Sequence, residues 1–206
     1  MAGFMEKIEY EGLALSVLPT VYLPAEDSFL LAKWAAKLAR GKVLEMGCAS
    51  GIVSLSVASA DAKNDVTGLD INPNAVECSE ENAKRNRIGN AHFLQSDMFA
   101  TVGNGKYDWV IFNPPYLPTT NAEKLADRME NAAYDGGKTG RDVIERFLDE
   151  FVGHLKADGG LLLLSSSLAN TEKTIKMLEN KGFDAKILEE EKFFFEKIEI
   201  ILARRK

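Results

Sequence analysis

The stretch "KVLEMGCASGIVSLSVASA", residues 42–60, decides how this 206-residue chain folds. Its first five residues form a short apolar run that carries an acid, Glu45, near its end. Residues 52–60 are small and apolar and read as a helix. Between the two, Gly47 and Gly51 turn the chain. Strand, glycine turn and helix in that order form the opening unit of a parallel α/β sheet. Glycine adopts backbone angles that other residues avoid, and the first amides of the helix stay free to meet a ligand. A dinucleotide-binding turn needs glycines at 47, 49 and 52, but Ala49 and Ile52 stand there, so a pyrophosphate cradle is not expected.

Outward from this unit the pattern repeats. "DVTGLD" (65–70) is a strand, and "PNAVECSEENAKRNR" (73–87) is a helix opened by proline at its first position. "AHFLQSD" (91–97) and "YDWVIFN" (107–113) are strands. After a long loop come a helix from Arg141 to Leu155, the strand "GGLLLLSS" (159–166) and a helix over 169–181 closed by Gly182. The tail "FDAKILEEEKFFFEKIEIILARR" (183–205) reads as two strands with no room for a crossover helix, hence an antiparallel hairpin. Upstream, "VYLPAEDSFLLAKWA" (21–35) is an extended lead-in, an N-cap at Asp27 or Ser28, and an amphipathic helix with Phe29, Leu31, Trp34 and Leu38 in the core. The expectation is an α/β fold with a seven-stranded, mostly parallel sheet, helices on both faces and a C-terminal antiparallel hairpin. One domain spans 1–206, with 1–41 as its N-terminal helical extension.

Composition narrows the class. Hydrophobic residues at 46% and charged residues at 27% suit a soluble globular protein. No apolar run approaches the roughly 20 residues needed to span a bilayer. The opening "MAGFMEKIEYEG" lacks the apolar region of a signal peptide, so a cytoplasmic location is expected. Cys48, Cys78, His92 and His154 stand apart, without metal-ligand spacing, and no metal site is expected. Lys+Arg 25 against Asp+Glu 31 gives a net charge of −6, so the non-specific attraction to phosphate is missing. Charge points to a protein or small-molecule substrate rather than to nucleic acid.

Four successive strand ends carry Glu45, Asp70, Asp97 and Asn113. Ligands of open α/β sheets bind at those carboxyl ends. Asp70, 23 residues after Gly47, is placed to accept ribose hydroxyls. Asp97 can accept from an adenine amino group, with the backbone of Met98 beside it. Each acid singly would serve equally well as a helix cap. Then "FNPPYLP" (112–118) stops the fourth strand with two prolines, which fix their own φ and hold Asn113 extended. Asn113 Oδ1 and the Pro114 carbonyl become two fixed acceptors for the two N–H bonds of a planar nitrogen, with Tyr116 to pack on its face.

These strand ends together resemble the S-adenosylmethionine site of class I methyltransferases, which are Rossmann-like. The N-P-P-Y run resembles the motif of enzymes that methylate planar nitrogens in adenine, cytosine or a glutamine amide. From about Val21 onward, "VYLPAEDSFLLAKWA" and "YDGGKTGRDVIERFL" (134–148), with three glycines ahead of a helix, resemble the glutamine methyltransferases of translation release factors, the HemK/PrmC group. Only about forty residues precede the glycine turn, so the resemblance is to the short archaeal and eukaryotic branch. It implies S-adenosylmethionine as cofactor, bound by Ser28, Glu45, Gly47, Gly51, Asp70, Asp97, Met98 and Asn113. It implies Asn113, Pro114 and Tyr116 as the catalytic group, and the Gly-Gly-Gln glutamine of a class I release factor as substrate. It also implies a small zinc-binding activator subunit, for which strand 91–95 at the sheet edge is the expected dock. Ser28 stands where threonine is common, and Ala49 where glycine is usual. The runner-up substrate is the adenine amino group of RNA or DNA. A non-catalytic binding subunit is the third reading, and the intact N-P-P-Y run argues against it.

Overall fold

In this computed structural model, which describes residues 6–119 and 128–206, a hairpin of β1 (Glu6–Tyr10) and β2 (Leu13–Val17) leads into helix α1 (Glu26–Leu38). Strands and helices then alternate as β3 (Lys42–Met46), α2 (Ile52–Ala60), β4 (Asp65–Asp70), α3 (Pro73–Arg85), β5 (Ala91–Gln95) and β6 (Tyr107–Phe112). A short helix α4 (Arg128–Ala132) and α5 (Asp142–Glu150) precede β7 (Leu155–Ser166), α6 (Thr171–Asn180), β8 (Phe183–Lys192) and β9 (Lys197–Arg205). Seven strands form one sheet in the order β5-β4-β3-β6-β7-β9-β8. The pairs from β5 to β7 are parallel, whereas β9 runs antiparallel to both β7 and β8. The seven strands, their mixed directions and the C-terminal hairpin match the sequence expectation. The chain winds outward from β3 to β5, returns, and winds outward again from β6, so a crevice opens between the ends of β3 and β6.

Period-two alternation explains why the strands are apolar throughout. Val43, Val66, Ile111, Leu162 and Leu164 pack on one face with α1, α2 and the hairpin residues Leu13 and Leu15. Their neighbours Leu44, Val110, Phe112, Leu161 and Leu163 pack on the other face with Ile144, Phe147, Leu148 and Leu178 of α5 and α6. A strand covered on both sides has no polar face, and each fully buried Leu or Ile contributes roughly 1.5–3 kcal/mol.

The N-terminal region differs from its expectation. Residues 1–41 were expected as a helical extension, yet a hairpin precedes their helix. The hairpin turns at Glu11 and Gly12, both at positive φ (46° and 82°), the conformation that suits the twist of paired strands. Its outer edge is covered by side chains. Asn82 of α3 and Asn86, the residue that caps its C-terminus one turn on, each present a carboxamide to the β2 backbone. Asn82 accepts from the Ser16 amide at 2.8 Å and donates to its carbonyl at 3.0 Å. Asn86 does the same with Ala14 at 2.9 Å each way. An edge strand thereby finds backbone-like partners without a further strand. Asn82 also donates to the Ser50 carbonyl at 2.9 Å, tying the hairpin to the turn after β3.

The helix caps also shift. Helix α1 begins one residue after Ala25, which makes no side-chain cap, so Asp27 lies inside the first turn rather than at the N-cap. Helix α3 opens at Pro73 as expected, with Asn72 Oδ1 accepting from the Asn74 amide. No helix among the described residues is long and apolar enough to cross a membrane.

Candidate active site

At the carboxyl ends of β3, β4 and β6 lies a cavity of about 360 Å³. It is lined by Ser28, Glu45, Gly47, Asp70, Asp97, Met98, Asn113, Pro114 and Tyr116, nine of the ten residues expected for binding and chemistry. Gly51 is the exception. It sits at φ +82°, and a Cβ there would meet Ser79 Oγ at 3.0 Å and Ser79 Cβ at 3.1 Å. Its glycine serves the packing of the turn on α3, away from the cavity wall. Among the described residues no cluster of His, Cys, Asp and Glu could hold a metal ion.

The wall from β3 to β5 is made of tight backbone. Gly47 has φ +68° and a Cβ would touch the Phe112 ring at 3.4 Å, so the β3 exit needs glycine. Ala49 has φ +48°, a left-handed conformation that L-residues with a Cβ adopt at a cost of roughly 1–2 kcal/mol. The Asp70 carboxylate holds it there: Oδ2 accepts from the Ala49 amide at 2.9 Å, and Oδ1 accepts from the Asn72 amide at 2.9 Å. Burial raises the Asp70 carboxyl above the usual range while these amides pull it down. Glu45 is buried, and its Oε2 accepts from the Ser54 amide at 2.8 Å and from the Ser54 hydroxyl, tying β3 to the first turns of α2. Burial pushes its carboxyl up to about 8, against the pull of Ser54 and with a further push from Asp70. Cys48 lines the same wall, but burial, then Asp70 and Glu45, raise its thiol well above the ordinary value, so it is no nucleophile at neutral pH. Asp97 is exposed, and Arg146 from α5 donates to its Oδ1 at 2.7 Å. Met98 follows at φ +48°.

The wall at β6 is made of side chains. Asn113 Nδ2 donates to Asp27 Oδ2 at 2.9 Å, across 86 residues. Asp27 is buried and accepts three further bonds: from Tyr22 OH at 2.9 Å, the Ser28 amide at 2.6 Å and Ser28 Oγ at 3.1 Å. A carboxylate only accepts, so it forces the NH₂ end of the Asn113 amide toward itself. The other end, Oδ1, is buried without a hydrogen-bond partner among the described residues. A buried acceptor left unpaired costs about 1–3 kcal/mol, which marks it for an incoming donor. Burial, then the Asp27 charge, raise the phenols of Tyr22 and Tyr116 above their usual value, so both stay protonated. The Tyr22 ring meets Tyr134 edge-on, with centroids 5.3 Å apart.

The glycines of 134–140 serve the same wall from behind. Gly136 donates to the Leu117 carbonyl at 3.0 Å, and the Thr119 amide donates to the Gly137 carbonyl at 3.0 Å. A Cβ on Gly140 would collide with the Tyr116 carbonyl, and one on Gly137 with the Asp142 carboxylate. Two backbones lie too close for side chains, and the segment braces the exit of β6.

Asp27 and Tyr22 join the lining of the cavity without a signal in the sequence that points to them. Asp27 was read as a cap; its contact with Asn113 joins segments far apart in the chain, and no local pattern announces it.

The sequence matches the Methyltransferase small domain family over residues 25–194. A Methanocaldococcus jannaschii protein, provisionally named a protein N5-glutamine methyltransferase, is 44% identical over 198 residues, which are 96% of this chain and 98% of that protein. A release factor glutamine methyltransferase of Vibrio cholerae is 31% identical, over 93% of this chain and 69% of its own length. Among solved structures, Mtq2 in the E. cuniculi Mtq2–Trm112 complex, responsible for methylating the termination factor eRF1, superposes with a TM-score of 0.71 at 26% identity, covering 91% of this chain and 99% of that one.

Proposed function

The chain belongs to the Methyltransferase small domain family, alongside the release factor and protein N5-glutamine methyltransferases, and on that premise we propose its reaction. It methylates the side-chain amide nitrogen of the glutamine in the Gly-Gly-Gln loop of a class I translation release factor, with S-adenosylmethionine as methyl donor. The observation that carries this reading is the Asn113 amide, pinned by Asp27 with Oδ1 left unpaired in the cavity wall.

When bound, S-adenosylmethionine supplies a methyl group made electrophilic by its sulfonium sulfur. The residues at hand suit such a ligand. Each Asp70 oxygen accepts one amide and keeps a second lone pair for a ribose hydroxyl. Asp97, held by Arg146 through one oxygen, offers the other to an adenine amino group beside Met98. Glu45 and Ser28, which line the cavity, would hold the polar end of the ligand, and Gly47 would leave room for it at the β3 exit.

An amide nitrogen is a poor nucleophile because its lone pair is delocalised. Asn113 Oδ1 and the Pro114 carbonyl accept its two N–H bonds, turn the nitrogen toward the methyl and stabilise the positive charge that grows on it. Tyr116 packs on the face of the amide. No base is needed from the protein, because the methylated nitrogen is acidic and gives its proton to water. The protonated state of Tyr22 and Tyr116 supports this.

The reading extends to the whole chain as one methyltransferase domain acting in the cytoplasm. Strand β5, at the sheet edge with Leu94 exposed, is the proposed dock for a small zinc-binding activator, as the E. cuniculi relative is paired with Trm112. The test is methyl transfer with labelled donor to a class I release factor, its Gln→Ala variant, tRNA and duplex DNA in parallel. Mass spectrometry should find one methyl on the glutamine and none on the variant. Label on adenine with the factor untouched would replace this reading with the nucleic-acid one.

A further inference from the structure

The turn between β8 and β9 carries three consecutive phenylalanines, and the reaction proposed above uses none of them. Phe193 is 41% exposed, Phe194 92% and Phe195 86%, whereas Phe93, Phe99, Phe112, Phe147, Phe151 and Phe183 are buried. Burying such rings is worth so much that a pair left in water needs a partner. The two outer rings meet edge to face, with centroids 4.6 Å apart. The turn is held from below. Phe193 donates its amide to the Glu196 carbonyl at 2.8 Å, Ser166 Oγ donates to Glu196 Oε2 at 2.6 Å, and the Lys197 amide donates to Ser167 Oγ at 3.0 Å. Glu196, the residue next to Phe195, lines the cavity. The rings therefore stand at the rim of the site on a pre-organised support.

The size of the cavity says why a rim contact is needed. About 360 Å³ admits a side chain and a cofactor portion but not a folded protein. A Gly-Gly-Gln loop brings one side chain and two residues without any, so the loop itself offers little surface to hold. Binding energy for the substrate must come from outside the cavity, and aromatic side chains that become buried at the centre of an interface are its usual anchors. A lipid surface fits poorly, because the chain carries −6 overall and lacks the positive charge that draws a protein to an anionic leaflet.

We propose that Phe194 and Phe195 dock the folded body of the protein substrate, inserting into an apolar recess beside its methyl-accepting loop. This rests on the functional reading above and adds where the substrate is gripped. The experiment compares the wild-type chain with Phe194→Ser/Phe195→Ser and Phe194→Leu/Phe195→Leu, using a purified archaeal class I release factor. The serine variant should raise the KM for the factor roughly tenfold or more with kcat nearly unchanged, as loss of ground-state binding requires, and the leucine variant should retain most of the affinity. S-adenosylmethionine affinity and the unfolding midpoint should stay at wild-type values. An unchanged KM would overturn the docking role, as would a fall in kcat and cofactor affinity together, which would make the rings part of the cavity's own support. Loss of a dimer with KM intact would overturn it in favour of a second copy of this chain as the occupant. A wild-type chain that leaves the factor unmethylated even with a Trm112-type activator supplied would overturn the functional reading itself, and the dock with it.

Discussion

The two walls of the cavity are held by opposite means. From β3 to β5, left-handed backbone at Gly47, Ala49 and Met98 shapes the surface, and Asp70 pins the turn through amides. At β6 the backbone is stiffened by Pro114 and Pro115, and the decisive geometry belongs to side chains, in a chain from Tyr22 through Asp27 to Asn113. A wall of backbone amides tolerates many side-chain changes but few changes of turn. A wall of side chains fails when one of them is removed. Binding should therefore degrade gradually and turnover abruptly.

The largest effect is expected at the second wall. Asn113→Ala should lower kcat by roughly 10²–10³-fold, the scale for one pre-organised polar group, with cofactor affinity falling much less. Asp27→Ala should lower kcat by less, since Oδ1 survives but loses its orientation. Steady-state kinetics on the folded variants decide it; equal losses of kcat and cofactor affinity would erase the contrast between the walls. Next comes Asp70→Ala at the first wall, which should weaken S-adenosylmethionine binding by about 1.5–3 kcal/mol in calorimetry. Unchanged affinity would remove Asp70 from the site.

Glu45 gives a pH signature. Its carboxyl is raised from 4.5 to about 8 in the folded chain, so between those values the folded state holds a proton that the unfolded state has released. Its contribution to stability is complete below pH 4.5 and is lost as the pH rises through about 8. Glu45→Gln should flatten that decline, and denaturant titrations at pH 5 and about pH 8 would show it; parallel slopes in both proteins would contradict the raised carboxyl. The smallest effect belongs to Ala49. Glycine there relieves about 1–2 kcal/mol of left-handed strain but gives up a packed methyl and loosens the unfolded chain, so Ala49→Gly should shift stability by less than about 1 kcal/mol. Ala49→Val should destabilise clearly, because branching at Cβ makes that backbone region harder still to occupy. A large change on glycine would mean that the turn depends on the alanine itself.

The same contrast explains what could be read from the sequence. β3, α2 and β4 fall on the expected residues because glycines and a change of hydrophobic period punctuate them. The walls' acids and Asn113 were legible because strand ends in a parallel sheet converge. The hairpin was missed although Ile8, Tyr10, Leu13 and Leu15 alternate about Glu11-Gly12, a turn signal weaker than Asn-Gly. At Gly51 conformational need and ligand approach ask for the same residue, and its φ of +82° with Ser79 close by accounts for the glycine without a ligand. Asp27 was out of reach because its meaning lies in a contact 86 residues away.

Asn82 and Asn86 act on β2 as a strand would, with the difference that the imitation belongs to a helix and leaves when the helix leaves. The amide protons of Ala14 and Ser16 can exchange with solvent only when α3 lets go of them, although they sit on a hairpin near the chain's start. Because Asn82 also holds the Ser50 carbonyl, that release loosens the turn that Asp70 fixes from the other side. Two slowly exchanging protons on an outlying hairpin thus become a clock for the opening of the cavity's first wall, and a ligand that grips the wall should slow it.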